Sequence, residues 1–319
     1  MGRRRAALTL TLALAGCGGD ARTPAPDAAD APAPIDAATL DAPAACVGRS
    51  PQPLDAVWTL TVDGLPRTAR VHVPASYDPA RPTPLVLDLH GYSMSGLTQA
   101  ELTRLPAKAD AAGFVVVHPD GTGAPLGWNA GACCGTAAST GVDDVGFVDA
   151  LLAELDARLC VDPRRIYATG FSNGGFLAHR LACERADVFA AIAPVSGVIG
   201  VATCAPSRPV PVLHVHGTAD TVVPFAGSPG LGFPSVDATI TGWIARDQCA
   251  APAVETFAQG DARCVSYRGC AGGAEVALCT ITGGGHTWPS GGPFPGGHQS
   301  TDLDATATIW DFFVAHPRP

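Results

Sequence analysis

Gly170-Phe171-Ser172-Asn173-Gly174 sets a serine between two glycines, with strand-forming residues before it and helix-forming residues after it. That pattern suits a sharp strand-to-helix turn, which forces the serine into strained backbone geometry and leaves no room for a Cβ on either side. A hydroxyl held there is a candidate nucleophile at a helix N-terminus. It needs a base, and the base needs an orienting acid. Two later segments supply them in the order acid then base: His216-Gly217-Thr218-Ala219-Asp220 after an apolar run, and Gly283-Gly284-Gly285-His286-Thr287-Trp288-Pro289 in a glycine-rich loop. The expectation is Ser172 as nucleophile, His286 as general base and Asp220 as the carboxylate that orients it.

Acyl transfer through such a triad also needs donors for the developing oxyanion. The backbone N–H of Asn173, at the start of the helix, is one expected donor. The N–H of Tyr92, in the Leu89-His90-Gly91-Tyr92 turn after an apolar strand, is the other. Trp128, Asn129 and Trp288 fall in loops on the same side, and their side chains are expected to contact substrate, the rings by stacking. His214 and His216 are two apart on one strand, and with no third ligand they are read as packed or hydrogen-bonded, not metal-bound. No metal site and no cofactor is expected. Asp88, a carboxylate inside an apolar strand, needs a buried partner that the sequence does not name.

These residues need a scaffold, and the hydrophobic pattern describes one. Residues 57–62 and 69–73 alternate in polarity around Asp63-Gly64, a hairpin signal. Short apolar runs at 85–89, 114–117, 166–169, 190–195 and 210–215 then alternate with helical stretches, and a further strand is expected at 275–281. Helices are expected at 145–159, 173–183, 235–248 and 301–315. The fold class is therefore α/β: an α/β-hydrolase fold with a mostly parallel central sheet, helices on both faces and antiparallel strands at the N-terminal edge. Residues 121–141 read as a loop.

With 319 residues the chain has room for one catalytic domain. Its net charge of −9, with 20 Lys+Arg against 29 Asp+Glu and no basic cluster after residue 5, excludes nucleic acid as a partner. Arg3-Arg4-Arg5 and the apolar run 6–15 form a signal peptide over residues 1–17, ending in Leu14-Ala15-Gly16-Cys17. That ending resembles a bacterial lipobox, so Cys17 is the expected lipid anchor and the only expected contact with a membrane. Residues 18–45, rich in Ala, Pro and Asp, are a disordered linker, and 46–319 are the catalytic domain. Eleven cysteines suit an oxidising compartment. Cys183–Cys204 and Cys264–Cys279 are expected pairs. Adjacent Cys133 and Cys134 form either a vicinal disulfide or two bonds to separate partners, the latter being preferred. A monomer is expected.

From Cys46 onward, six ordered blocks resemble the secreted polyhydroxybutyrate-depolymerase-like esterases, a family that includes feruloyl and acetylxylan esterases. They are Leu89-His90-Gly91, Trp128-Asn129-Ala130-Gly131, Val142-Asp143-Asp144-Val145-Gly146-Phe147, Gly170 to Gly175, His216 to Asp220 and Gly283 to Pro289. The resemblance implies an extracellular or cell-envelope serine ester hydrolase acting on plant-wall esters or short-chain polyesters. Two rivals stand beside it: a serine peptidase on the same fold, and a non-catalytic anchored binding protein.

Overall fold

The computed structural model describes residues 46–319. The expected signal peptide, the expected lipid anchor Cys17 and the expected linker lie outside the described residues.

The chain opens with a hairpin, β1 (Asp55–Val62) and β2 (Leu65–His72), paired from Asp55↔His72 to Val62↔Leu65. Asp63 and Gly64 between them both have positive φ, as a two-residue turn that matches strand twist requires. There follow β3 (Thr83–Leu89), α1 (Gly96–Thr103), α2 (Leu105–Ala112), β4 (Val115–Pro119), α3 (Gly135–Ser139), α4 (Asp144–Arg158), β5 (Val161–Phe171) and α5 (Asn173–Glu184). The rest are β6 (Ala191–Val195), β7 (Val212–Gly217), α6 (Val236–Arg246), β8 (Val254–Gln259), β9 (Ala262–Tyr267), β10 (Val276–Ile281) and α7 (Ala305–Ala315).

One sheet runs in the order β1-β2-β4-β3-β5-β6-β7-β10-β9-β8. The stretch from β4 to β10 is parallel, and its strands are buried along almost their whole length, β5 from Tyr167 onward, because helices cover both faces. Trp58, Phe147, Leu151, Leu177, Leu181, Ile240 and Trp243 pack in the core under α4, α5 and α6. On the other face Leu105, Ala109, Ile309, Trp310 and Phe313 from α2 and α7 close a second core. The antiparallel β8–β9 hairpin gives the far edge the same finish as the N-terminal one, and its outer strand β8 is an element that the strand pattern left out. Helix starts follow their caps: Asp143 accepts from the Gly146 N–H, Ser235 from Ala238 and Asp304 from Ala307, so α7 begins later than residue 301.

Asp88, fully buried in β3, accepts from Gln99 Nε2 and Thr103 Oγ1 of α1, both at 2.7 Å, and has His118 Nδ1 of β4 at 3.1 Å. Gln99 and Thr103 are the hydrogen-bond partners it needed. Among the described residues five disulfides are formed: Cys46–Cys160, Cys133–Cys134, Cys183–Cys204, Cys249–Cys270 and Cys264–Cys279. The preference for separate partners at Cys133 and Cys134 is corrected, since the other eight described cysteines are paired among themselves and leave each only its neighbour.

Candidate functional site

β5 runs directly into α5, and Ser172 sits at the junction with φ 54° and ψ −120°, a conformation that an L-residue adopts only under constraint. Its N–H donates to the Val195 carbonyl at 2.9 Å, and its own carbonyl accepts from Phe176 N–H at 3.0 Å. The flanking glycines are steric necessities. A Cβ on Gly174 would lie 1.9 Å from the Leu89 carbonyl oxygen, and one on Gly170 2.6 Å from the Gly174 backbone. Either would drive β3 away from the turn.

Asp220 and His286 meet because β7 and β10 are parallel neighbours whose carboxyl-end loops are stitched together. Thr218 N–H donates to Ile281 O, Ala219 N–H to Gly284 O, and Gly283 N–H to Thr218 Oγ1. His286 Nδ1 lies 2.7 Å from Asp220 Oδ2, and both side chains are buried. The other carboxylate oxygen, Oδ1, accepts from the Val222 and Val223 N–H groups at 2.8 Å each. Burial pushes the Asp220 carboxyl upward. The hydrogen bonds and charges of His216 and His286 outweigh that and hold it well below the usual carboxylate range. The glycines around His286 provide close approach rather than slack, since a Cβ on Gly285 would lie 2.1 Å from Gly296 O.

The imidazole of His286 lies against the ring of Phe171, centroids 4.7 Å apart, which sets it beside the residue preceding Ser172. Among the described residues neither the Ser172 hydroxyl nor His286 Nε2 makes a hydrogen bond, so the serine–histidine link is open in this structure while the histidine–aspartate link is closed. Such links are often long before substrate binds. The His90–Tyr92 turn borders the serine: a Cβ on Gly91 would lie 3.4 Å from Ser172 Cβ. The backbone N–H groups of Tyr92 and Asn173 donate to nothing among the described residues, leaving two donors at this end of the sheet.

Trp128 and Trp288 do not present their rings to a ligand. Both are fully buried, with Trp128 Nε1 donating to His90 O at 2.9 Å and Trp288 Nε1 to Thr306 Oγ1 at 3.0 Å. Asn129 is also committed internally, its Nδ2 donating to Val142 O and its carbonyl accepting from Arg180. The expected stacking of substrate on Trp128 and Trp288 is therefore corrected: the aromatic bodies close the core, and each indole N–H finds an acceptor there. The Asn173 side chain does something that the motif did not announce, clasping the Trp128 backbone by Oδ1 from N–H at 2.7 Å and by Nδ2 to O at 3.1 Å. His90 likewise pins two loops, donating from Nδ1 to Gly91 O and accepting at Nε2 from Gly121 N–H.

A cleft of about 350 Å³ is walled by Met94, Leu102 and Phe294 with Thr98 and Glu101 at its polar side, and none of the triad residues lines it. Met94 Sδ is 3.0 Å from where a Gly91 Cβ would stand, and Phe294 packs edge-on to Phe171. A wider hollow of about 550 Å³ at the β8–β9 turn contains none of the candidate residues. Tyr92 is the half-exposed aromatic at the site. Among the described residues no three His, Cys, Asp or Glu side chains converge as metal ligands.

A mostly parallel sheet with a serine at a β5–α5 elbow, and an acid and a histidine on later loops, defines an α/β-hydrolase. Its relatives narrow the class. The family described as esterase PHB depolymerase matches residues 73–223. Feruloyl esterase B of Piromyces equi is 34% identical over 235 residues, 69% of this chain, and the match spans 42% of that enzyme's length. The putative esterase NocK of Nocardia uniformis subsp. tsuyamanensis is 34% identical over 283 residues, 80% of this chain and 81% of NocK. Among solved structures, acetyl xylan esterase from Aspergillus awamori superposes with a TM-score of 0.55 at 15% identity, over 73% of this chain and 94% of that one, a likeness of fold. The chain belongs to the PHB-depolymerase-like and feruloyl esterase family of carboxylic ester hydrolases.

Proposed function

We propose that the chain hydrolyses carboxylic esters through an acyl-enzyme on Ser172. The supporting observation is the 2.7 Å hydrogen bond between His286 Nδ1 and Asp220, next to a serine held in strained geometry at a helix N-terminus. His286 Nε2 takes the hydroxyl proton as Ser172 Oγ attacks the ester carbonyl. Asp220 holds the imidazole in the tautomer that leaves Nε2 free and stabilises its positive form. The N–H groups of Asn173 and Tyr92 receive the oxyanion. The alcohol leaves with the proton from His286, and water activated by the same imidazole releases the acid.

The substrate class is feruloyl or acetyl esters of plant cell walls, or short-chain polyesters such as polyhydroxybutyrate. The feruloyl esterases among the relatives favour the first, and the mainly apolar lining of the cleft at Met94 and Phe294 suits an acyl or aryl group. The five disulfides among the described residues fit an oxidising compartment and so export, and the lipobox-like Leu14-Ala15-Gly16-Cys17 supports attachment through Cys17. Ser172→Ala is expected to abolish turnover of p-nitrophenyl acetate with the unfolding midpoint unchanged. Undiminished turnover in that variant overturns the nucleophile. A panel of methyl ferulate, acetylated xylan, polyhydroxybutyrate and p-nitroanilide amides assigns the substrate, and amides cleaved faster than esters would overturn the esterase reading in favour of a peptidase.

A further inference from the structure

Three imidazoles and an indole form a continuous line through the core beneath Asp220. Trp243 Nε1 of α6 is 3.0 Å from His179 Nδ1 of α5, and His179 Nε2 is 3.3 Å from His214 Nδ1 of β7. His214 Nε2 is 3.0 Å from His216 Nδ1, the two rings being parallel within 1°. His216 Nε2 is 2.8 Å from the Val223 carbonyl oxygen and 3.4 Å from Asp220 Oδ2. All four side chains are essentially inaccessible to solvent.

The ends of this line decide its direction. An indole N–H can only donate, so His179 Nδ1 must accept and its proton sits on Nε2. That proton faces both the Gly197 backbone and His214 Nδ1; the hydrogen bond to His214 places the next proton on His214 Nε2, and the same step places one on His216 Nε2. The last donor then points at acceptors only, the Val223 carbonyl and the Asp220 carboxylate. Burial holds His179 down at about 3 and His214 well below its ordinary value, so both serve as neutral, singly protonated links. A core of this size has cheaper fillings than three imidazoles, which fit only if each nitrogen is paired.

We propose that His216, oriented by the Trp243–His179–His214 chain, is a positioning residue that holds Asp220 and its turn facing His286. The inference rests on the triad reading above. Asp220 Oδ1 is already bound to the Val222 and Val223 N–H groups, and His216 ties the carbonyl of the same Val223. The Asp220–Val223 turn is thus fixed from both sides, with Oδ2 left between His216 and His286.

The test is steady-state hydrolysis of p-nitrophenyl acetate by His216→Phe, His216→Gln and Trp243→Phe, with unfolding midpoints measured alongside. His216→Phe keeps a ring and removes the donor, and kcat is expected to fall about tenfold or more with KM changed less than about twofold. His216→Gln restores an N–H at the Nε2 position and is expected to recover most of that loss. Trp243→Phe, far from substrate, is expected to lower kcat about threefold with KM unchanged, because it releases the chain's direction; it carries the test if His216→Phe does not fold. Full kcat in a folded His216→Phe, or a glutamine variant as impaired as the phenylalanine one, or an unaffected Trp243→Phe, would overturn the proposal. Fluorophosphonate labelling of the wild-type chain separates the two levels of argument. Labelling at Ser172 combined with any of those results removes only the role of His216, whereas a wild-type chain that resists labelling removes the triad reading with it.

Discussion

At the scale of single residues, the site turns on which side chains are free to act and which are already committed. Asp220 spends both oxygens, one on two backbone N–H groups and one on His286. Asp220→Asn would keep the shape but offer an amide NH₂ or a weaker acceptor to His286 Nδ1, favouring the wrong tautomer. The expected loss in kcat is on the order of 10⁴, read with any activated ester. A loss below tenfold would point to another acid. The candidate serine, acid and histidine stand out in the sequence because each lies in a local motif with a glycine signature. The fates of Trp128 and Trp288 were not, because loop position says nothing of depth, and burial depends on neighbours such as Phe147 and Thr306 that are remote in sequence or unremarkable in type. Asn173 was read only for its N–H, since a side chain clasping a backbone 45 residues away leaves no local trace.

At the scale of elements, the glycines separate into two kinds with different expected costs. Gly174 is a contact between α5 and β3, and a methyl group there would meet the Leu89 carbonyl oxygen. Gly174→Ala is expected to cost about 3 kcal/mol or more in denaturant unfolding, because backbone and not a flexible side chain must give way. Gly283 has open space around its Cβ position but φ 72°, so Gly283→Ala is expected to cost only about 1 kcal/mol. Equal midpoints for the two variants would contradict this ordering. The strand and helix pattern made the parallel centre legible, since strands covered on both faces are uninterrupted apolar runs. The edge strand β8 escaped because it is exposed along most of its length and carries no such run. The disulfides Cys183–Cys204 and Cys264–Cys279 followed from the elements they flank, while Cys46–Cys160 spans 114 residues of chain and depends on the fold being assembled.

At the scale of the whole molecule, stability is expected to carry a pH dependence with an identifiable source. Asp247, at the end of α6, is buried with Oδ1 accepting from the Val210 N–H and Oδ2 unpartnered. Burial raises its carboxyl from the ordinary 3.8 to about 7. A carboxyl raised on folding favours the folded state when protonated, so its contribution is full below about pH 4 and is lost as pH rises through about 7. Asp247→Asn is expected to flatten the fall in Tm between pH 5 and pH 8 and to be the more stable chain at pH 8; parallel curves for the two proteins would contradict it. The parallel sheet gathers the ends of β3, β5, β7 and β10 at one edge, and the account depends on that edge activating a single serine. Reaction with a fluorophosphonate followed by peptide mass spectrometry tests this most directly. The account predicts one adduct, on Ser172, lost in Ser172→Ala and slowed severely in His286→Ala; an adduct on another residue, or undiminished ester turnover in a chain that takes no label, would contradict it.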